Sequence, residues 1–142
     1  MNYNIERFLR AQEDSYERAF SEIKNGRKET HWMWYIFPQL KALGHSPNAI
    51  YFGISDIHEA KEYLAHPVLG ARLREICEVL LCLSTNDPFK VMCGIDGVKL
   101  CSSMTLFAEA DGYDTVFGSV IDKYYGGKKD KNTLRVLYGD TF

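Results

Sequence analysis

Apolar residues return every three or four positions in segment after segment of this chain, which is the repeat of one face of an α-helix and the strongest constraint on its fold. After Pro67, the residues Leu69, Leu73, Ile76, Leu80 and Leu83 form such a stripe. It predicts a helix at the centre of the structure. Ile5, Phe8, Leu9, Tyr16, Ala19, Phe20 and Ile23 mark an earlier helix, capped by Asn4, stopped by Gly26 and broken once near Asp14. Ile57, Ala60 and Leu64 mark another, with Asp56 and Glu59 at the spacing of a capping box. Leu100, Met104, Phe107 and Ala108 predict a further helix, and Tyr113, Val116, Phe117, Val120, Ile121 and Tyr124 the next, with Asp111-Gly112 between them and Gly126-Gly127 as a stop. Asp130 to Tyr138 reads as a last short helix carrying Leu134 and Leu137.

Between these segments the pattern is less decisive. Residues 30–37 are apolar on every side and end at Pro38, which fits a short buried helix or a buried strand; the flanking helices favour helix. Gly44-His45-Ser46-Pro47 reads as a turn, Tyr51-Phe52-Gly53-Ile54 as the other stretch able to extend, and Asn86-Asp87-Pro88 as a boundary before a short turn. With zero to two strands, the expected fold is mainly α: an irregular helical bundle of about six to eight helices in a single domain over residues 1–142.

At 142 residues and 46% hydrophobic, the chain can bury a core without metals or disulfides. A formal net charge of −2 gives no positive field for nucleic acid, and no apolar run approaches the roughly 18 residues of a membrane span. The first residues lack a signal-peptide pattern, so a cytoplasmic protein without membrane or nucleic-acid partners is expected. Cys77, Cys82, Cys93 and Cys101 match no zinc or disulfide framework and are expected reduced, inside helices. Histidines at 31, 45, 58 and 66 have no ligand spacing, so no metal or cofactor is expected.

Function is sought in polar residues on apolar faces. Gln12 continues the Phe8, Leu9, Tyr16 stripe; Arg72 falls between Leu69, Ile76 and Val79; Ser103 lies on the arc of Leu100 and Phe107. His31 stands among Trp32, Trp34 and Tyr35. A buried polar group without a partner costs about 1–3 kcal/mol, so these groups either pair within the core or meet at a polar cavity. The planar guanidinium of Arg72 suits a carboxylate or phosphate. Lys99 precedes Ser103 by one helical turn, the spacing of a lysine base and a serine nucleophile. His31 has the proton affinity for acid–base work near neutrality, and Trp34 with its neighbours could stack on a flat ligand. Gly26-Arg27-Lys28 and Gly126-Gly127-Lys128-Lys129 offer amides and cations to phosphate without P-loop spacing.

Gly26-Arg27-Lys28, His31-Trp32-Met33-Trp34, Phe37-Pro38-Gln39-Leu40, Leu43-Gly44, the run from His66 to Leu73 and Ser102-Ser103-Met104-Thr105-Leu106-Phe107 resemble a family of small bacterial proteins, the domain of unknown function numbered eighteen-ten. The likeness runs from Phe8 to about Leu137. Some members carry a calpastatin-like label, which nothing in these residues supports physically. The resemblance implies a helical domain and no established activity. Its motif residues fall on Gln12, Lys28, His31, Trp34, Gln39, Ser46, Arg72, Lys99 and Ser103.

The resulting expectation is a pocket for a small anionic ligand, a nucleotide or sugar phosphate. Arg72 and Lys28 would hold the charge; Gln12, Gln39 and Ser103 would orient the ligand; Trp34 would pack against it and His31 would carry a proton. The alternative is an interaction or regulatory module in which the same polar groups pair internally.

Overall fold

The computed structural model describes residues 3–139. Its helices are α1 (Glu6–Glu13), α2 (Tyr16–Lys24), α3 (Met33–Ile36), α4 (Pro47–Tyr51), α5 (Ile57–Ala65), α6 (Leu69–Cys82), α7 (Pro88–Met92), α8 (Asp96–Asp111), α9 (Val116–Tyr125) and α10 (Lys131–Tyr138), with a 3-10 turn at Lys41–Leu43. Among the described residues there are ten α-helices rather than six to eight, and no strand. The excess comes from the break at Asp14–Ser15 and from α4 and α7, which are too short for a three-and-four repeat to register. Residues 51–54 contain no strand: Tyr51 closes α4, and Ile54 makes a lone parallel bridge to Leu40.

Capping residues explain several of the boundaries. Asp56, Asp87 and Asp130 each accept an amide of the first turn of α5, α7 and α10, as Ser46 does for α4. Gly26 and Gly126 adopt positive φ just after α2 and at the end of α9. Asn4 does not cap α1; Ile5 holds that position without a side-chain bond. At α6 the cap comes from outside the expected position. His66 Nδ1 accepts the amides of Val68 and Leu69 at 3.1 and 3.3 Å across Pro67.

The centre of the bundle is α8, not α6. From Leu100 to Ala108 every residue of α8 is buried. A helix enclosed on all sides carries no polar face, and periodicity therefore understates it. Helices α5, α7, α9 and α10 pack around it, and α6 packs on α5, α9 and α2. The Phe107 ring links the layers, 5.4 Å from Tyr63 of α5 and 5.7 Å from Phe117 of α9. Leu83 lies one residue beyond α6. All four cysteines are free, and Cys77, Cys82 and Cys101 lie inside helices as expected, although Cys82 is exposed; Cys93 departs from expectation, exposed and in a left-handed conformation after α7.

The first turn of α9 folds back on residues 113–115 so closely that no side chain fits at Gly118. A Cβ there would stand 1.8 Å from the Tyr113 carbonyl oxygen. Gly118→Ala should therefore force backbone movement and lose about 3 kcal/mol, read as a lower urea midpoint. An unchanged midpoint would contradict this packing.

Candidate functional site

The polar residues singled out by helical geometry fall into different settings. Lys28 is buried and held at one end of α8. Its Nζ donates to the Thr30 carbonyl at 2.6 Å, pairs with Asp96 at 3.1 Å and lies 4.9 Å from the centre of the Trp32 ring. Lys99 shares Asp96 at 3.6 Å, so the two lysines meet through one carboxylate. Ser103 is fully buried and its Oγ has no hydrogen-bond partner among the described residues. His31 is exposed, Trp34 and Gln39 are half-buried, and Ser46 is exposed at the start of α4. Of the aromatic neighbours of His31 only Trp32 is buried, and the imidazole stays outside the core.

An unpartnered hydroxyl in a helix interior weakens the fold unless something else needs it. Ser103→Ala should raise stability by about 1 kcal/mol, because it removes an unsatisfied group and improves helix propensity. A loss of stability on calorimetry would show that Oγ has a partner after all.

Gln12 and Arg72 do come together. Gln12 is buried in α1; its Nε2 donates to the Tyr35 carbonyl at 2.8 Å and to the Tyr63 hydroxyl at 3.1 Å, and its Oε1 accepts from Arg72 at 3.3 Å. The Arg72 guanidinium stacks 5.0 Å from the centre of the Tyr16 ring. Tyr16 in turn donates to Glu75 Oε1 at 2.5 Å and to the Arg72 carbonyl at 3.1 Å. Burial, the Glu75 bond and that carboxylate's charge push the Tyr16 phenol up, against the pull of Arg72, so it stays a donor at neutral pH. These residues, with Glu13, Glu17 and Phe20, line an open groove of about 450 Å³ where α2 crosses α6. Arg72 lines the groove and forms no ion pair among the described residues, and its one side-chain bond there, to Gln12, leaves most of its five N–H donors without a protein acceptor.

The family described as "Protein of unknown function (DUF1810)" matches residues 2–137. The chain belongs to that family. No curated protein matches it. This DUF1810 chain is similar to the crystal structure of the conserved hypothetical protein Rv1873 from Mycobacterium tuberculosis, with 41% identity and a TM-score of 0.92 over 95% of this chain and 96% of that one. The helical fold is thus shared with that structure, whose description names no activity.

Sequence reasoning missed two buried acids of this DUF1810 chain. Glu22 of α2 accepts the amides of Glu29 and Thr30 at 2.8 and 3.0 Å, the Thr30 hydroxyl at 2.7 Å and the Trp32 indole N–H at 2.8 Å. Its position beside Ile23 and three residues after Ala19 was a usable signal. Glu59 pairs with Arg7 at 2.9 Å with both side chains buried, and its Oε1 accepts the Ser55 amide at 2.7 Å. Arg7 sits at the edge of the α1 stripe and is covered by α4, an element too short to foresee. Gln12, Glu22 and Lys28 together pin residues 30–35, so two of the motif residues, Gln12 and Lys28, help to anchor the Trp32-containing segment.

Proposed function

We propose that this protein binds a small ligand through an anionic group held by Arg72, in the groove where α2 crosses α6. The supporting observation is the unequal pairing of its buried and half-buried cations. Arg7 donates to the carbonyls of Asn4, Tyr51 and Gly53 and pairs with Glu59, while Arg72 has, among the described residues, a single side-chain acceptor and no carboxylate partner. A guanidinium held in place by an aromatic ring and one amide, with its remaining donors toward an open groove, is prepared for a planar anion. Gln12 positions it and Tyr16 supports its face. In this reading Lys28, His31, Trp34, Gln39, Ser46, Lys99 and Ser103 are left outside the ligand's contacts, and no acid–base step is assigned.

The test is thermal shift across nucleotides, sugar phosphates, inorganic phosphate and small carboxylates, on the protein and on Arg72→Ala. A ligand at a hundred times its Kd should add about 2.7 kcal/mol of stability, and the variant should lose that gain. Shifts that survive in Arg72→Ala, or none in any class, would overturn the proposal.

A further inference from the structure

We infer that the ligand of the Arg72 groove is a small zwitterion, an amino acid or a related ammonium-bearing carboxylate, rather than a phosphate. The inference rests on the reading above and follows from the charges of the groove wall. Glu13, Glu17 and Glu75 line the same groove as Arg72, three carboxylates against one guanidinium. Glu75 accepts one bond, from Tyr16, through Oε1; Glu13 and Glu17 have no ion pair or hydrogen bond to either carboxylate among the described residues. A multiply charged phosphate entering this groove meets more repulsion than attraction, because Arg72 supplies one positive charge and the rim opposes it.

A carboxylate with an ammonium group close by reverses that balance. Its carboxylate accepts from Arg72 in the plane of the guanidinium, and its ammonium group donates to the acidic rim. The apolar part of the wall comes from the rings of Tyr16 and Phe20, which lie 6.2 Å apart. After the ammonium group is satisfied, acidic charge is left over. Basic side chains should therefore be preferred to neutral ones, and acidic ones rejected.

The experiment is calorimetric titration of the full chain at low ionic strength with free amino acids, their N-acetyl derivatives, their C-terminal amides and glucose 6-phosphate. Binding of lysine or arginine that falls at least tenfold on N-acetylation, and again on amidation, is the expected result. Arg72→Gln should abolish the effect of amidation, and Glu75→Gln should reduce that of N-acetylation. If glucose 6-phosphate or the N-acetyl derivatives bind as well as the free amino acids and Arg72→Gln removes that binding, the zwitterion is wrong and the groove stands. If no compound binds, the zwitterion is wrong, and the groove falls with it when nucleotides, inorganic phosphate and simple carboxylates also give no shift; if binding is seen and Arg72→Gln leaves it unchanged, both fail.

Discussion

Replacing Arg7 with methionine is expected to destabilise the fold by about 3–5 kcal/mol, the range for breaking a buried ion pair from one side. Glu59 is 1% exposed, and without Arg7 its carboxylate has, among the described residues, only the Ser55 amide. The carbonyls of Asn4, Tyr51 and Gly53 lose their donor at the same time, so the contact of α1 with α4 and the following turn opens. At about 3 °C per kcal/mol for a chain of this size, the melting temperature should fall by roughly 10 °C. Adding Glu59→Gln should recover part of the loss, because a neutral amide keeps an acceptor for Ser55 and leaves no buried charge. A double variant no more stable than the single one would show that the lost bonds to Asn4, Tyr51 and Gly53, rather than the stranded charge, set the cost.

Glu22→Ala is the second large effect, with an expected loss of about 3 kcal/mol, because two amides, an indole and a hydroxyl lose their acceptor together. Its pH dependence gives this site a signature of its own. Burial pushes the Glu22 carboxyl up, but the bonds from Thr30, Glu29 and Trp32 outweigh it and hold the group at about 2, below its ordinary 4.5. A depressed carboxyl stabilises the fold above its unfolded value and loses that contribution as pH falls through the folded one. Glu22 should therefore contribute about 3 kcal/mol at neutral pH that disappears between about pH 4.5 and 2. Urea midpoints across that window should fall steeply for the native chain and less steeply for Glu22→Gln. Parallel pH profiles would mean that Glu22 titrates normally.

Long helices were legible because each buries one face and shows the other to water. Helices α5, α6, α9 and α10 begin and end close to where their stripes and caps place them. The rule weakens where burial is complete or the element is short. In α8 the stripe widens to the whole circumference, and α4 and α7 span five residues each. The same limit governs the polar residues. Gln12, Arg72 and Ser103 were found because they interrupt a stripe; Arg7 was not, because its cover comes from an element that leaves no periodic trace. Partners were not legible at all. That Lys28 faces Asp96, and Gln12 faces Tyr35, depends on contacts between residues far apart in the chain. His31 was set among aromatic neighbours, yet only Trp32 is buried, Trp34 and Tyr35 are half-buried, and the imidazole is left exposed.

Two arginines on neighbouring parts of the bundle are thus assigned opposite purposes, Arg7 to the fold and Arg72 to a ligand. The melting temperature of ligand-free Arg72→Ala tests that division most directly. Removing Arg72 strands no buried carboxylate, and water in the groove can reach the Gln12 amide, so the loss should stay within about 1 kcal/mol, a few degrees. A fall as large as that of Arg7→Met would mean that Arg72 holds the helices together and is not reserved for anything that binds.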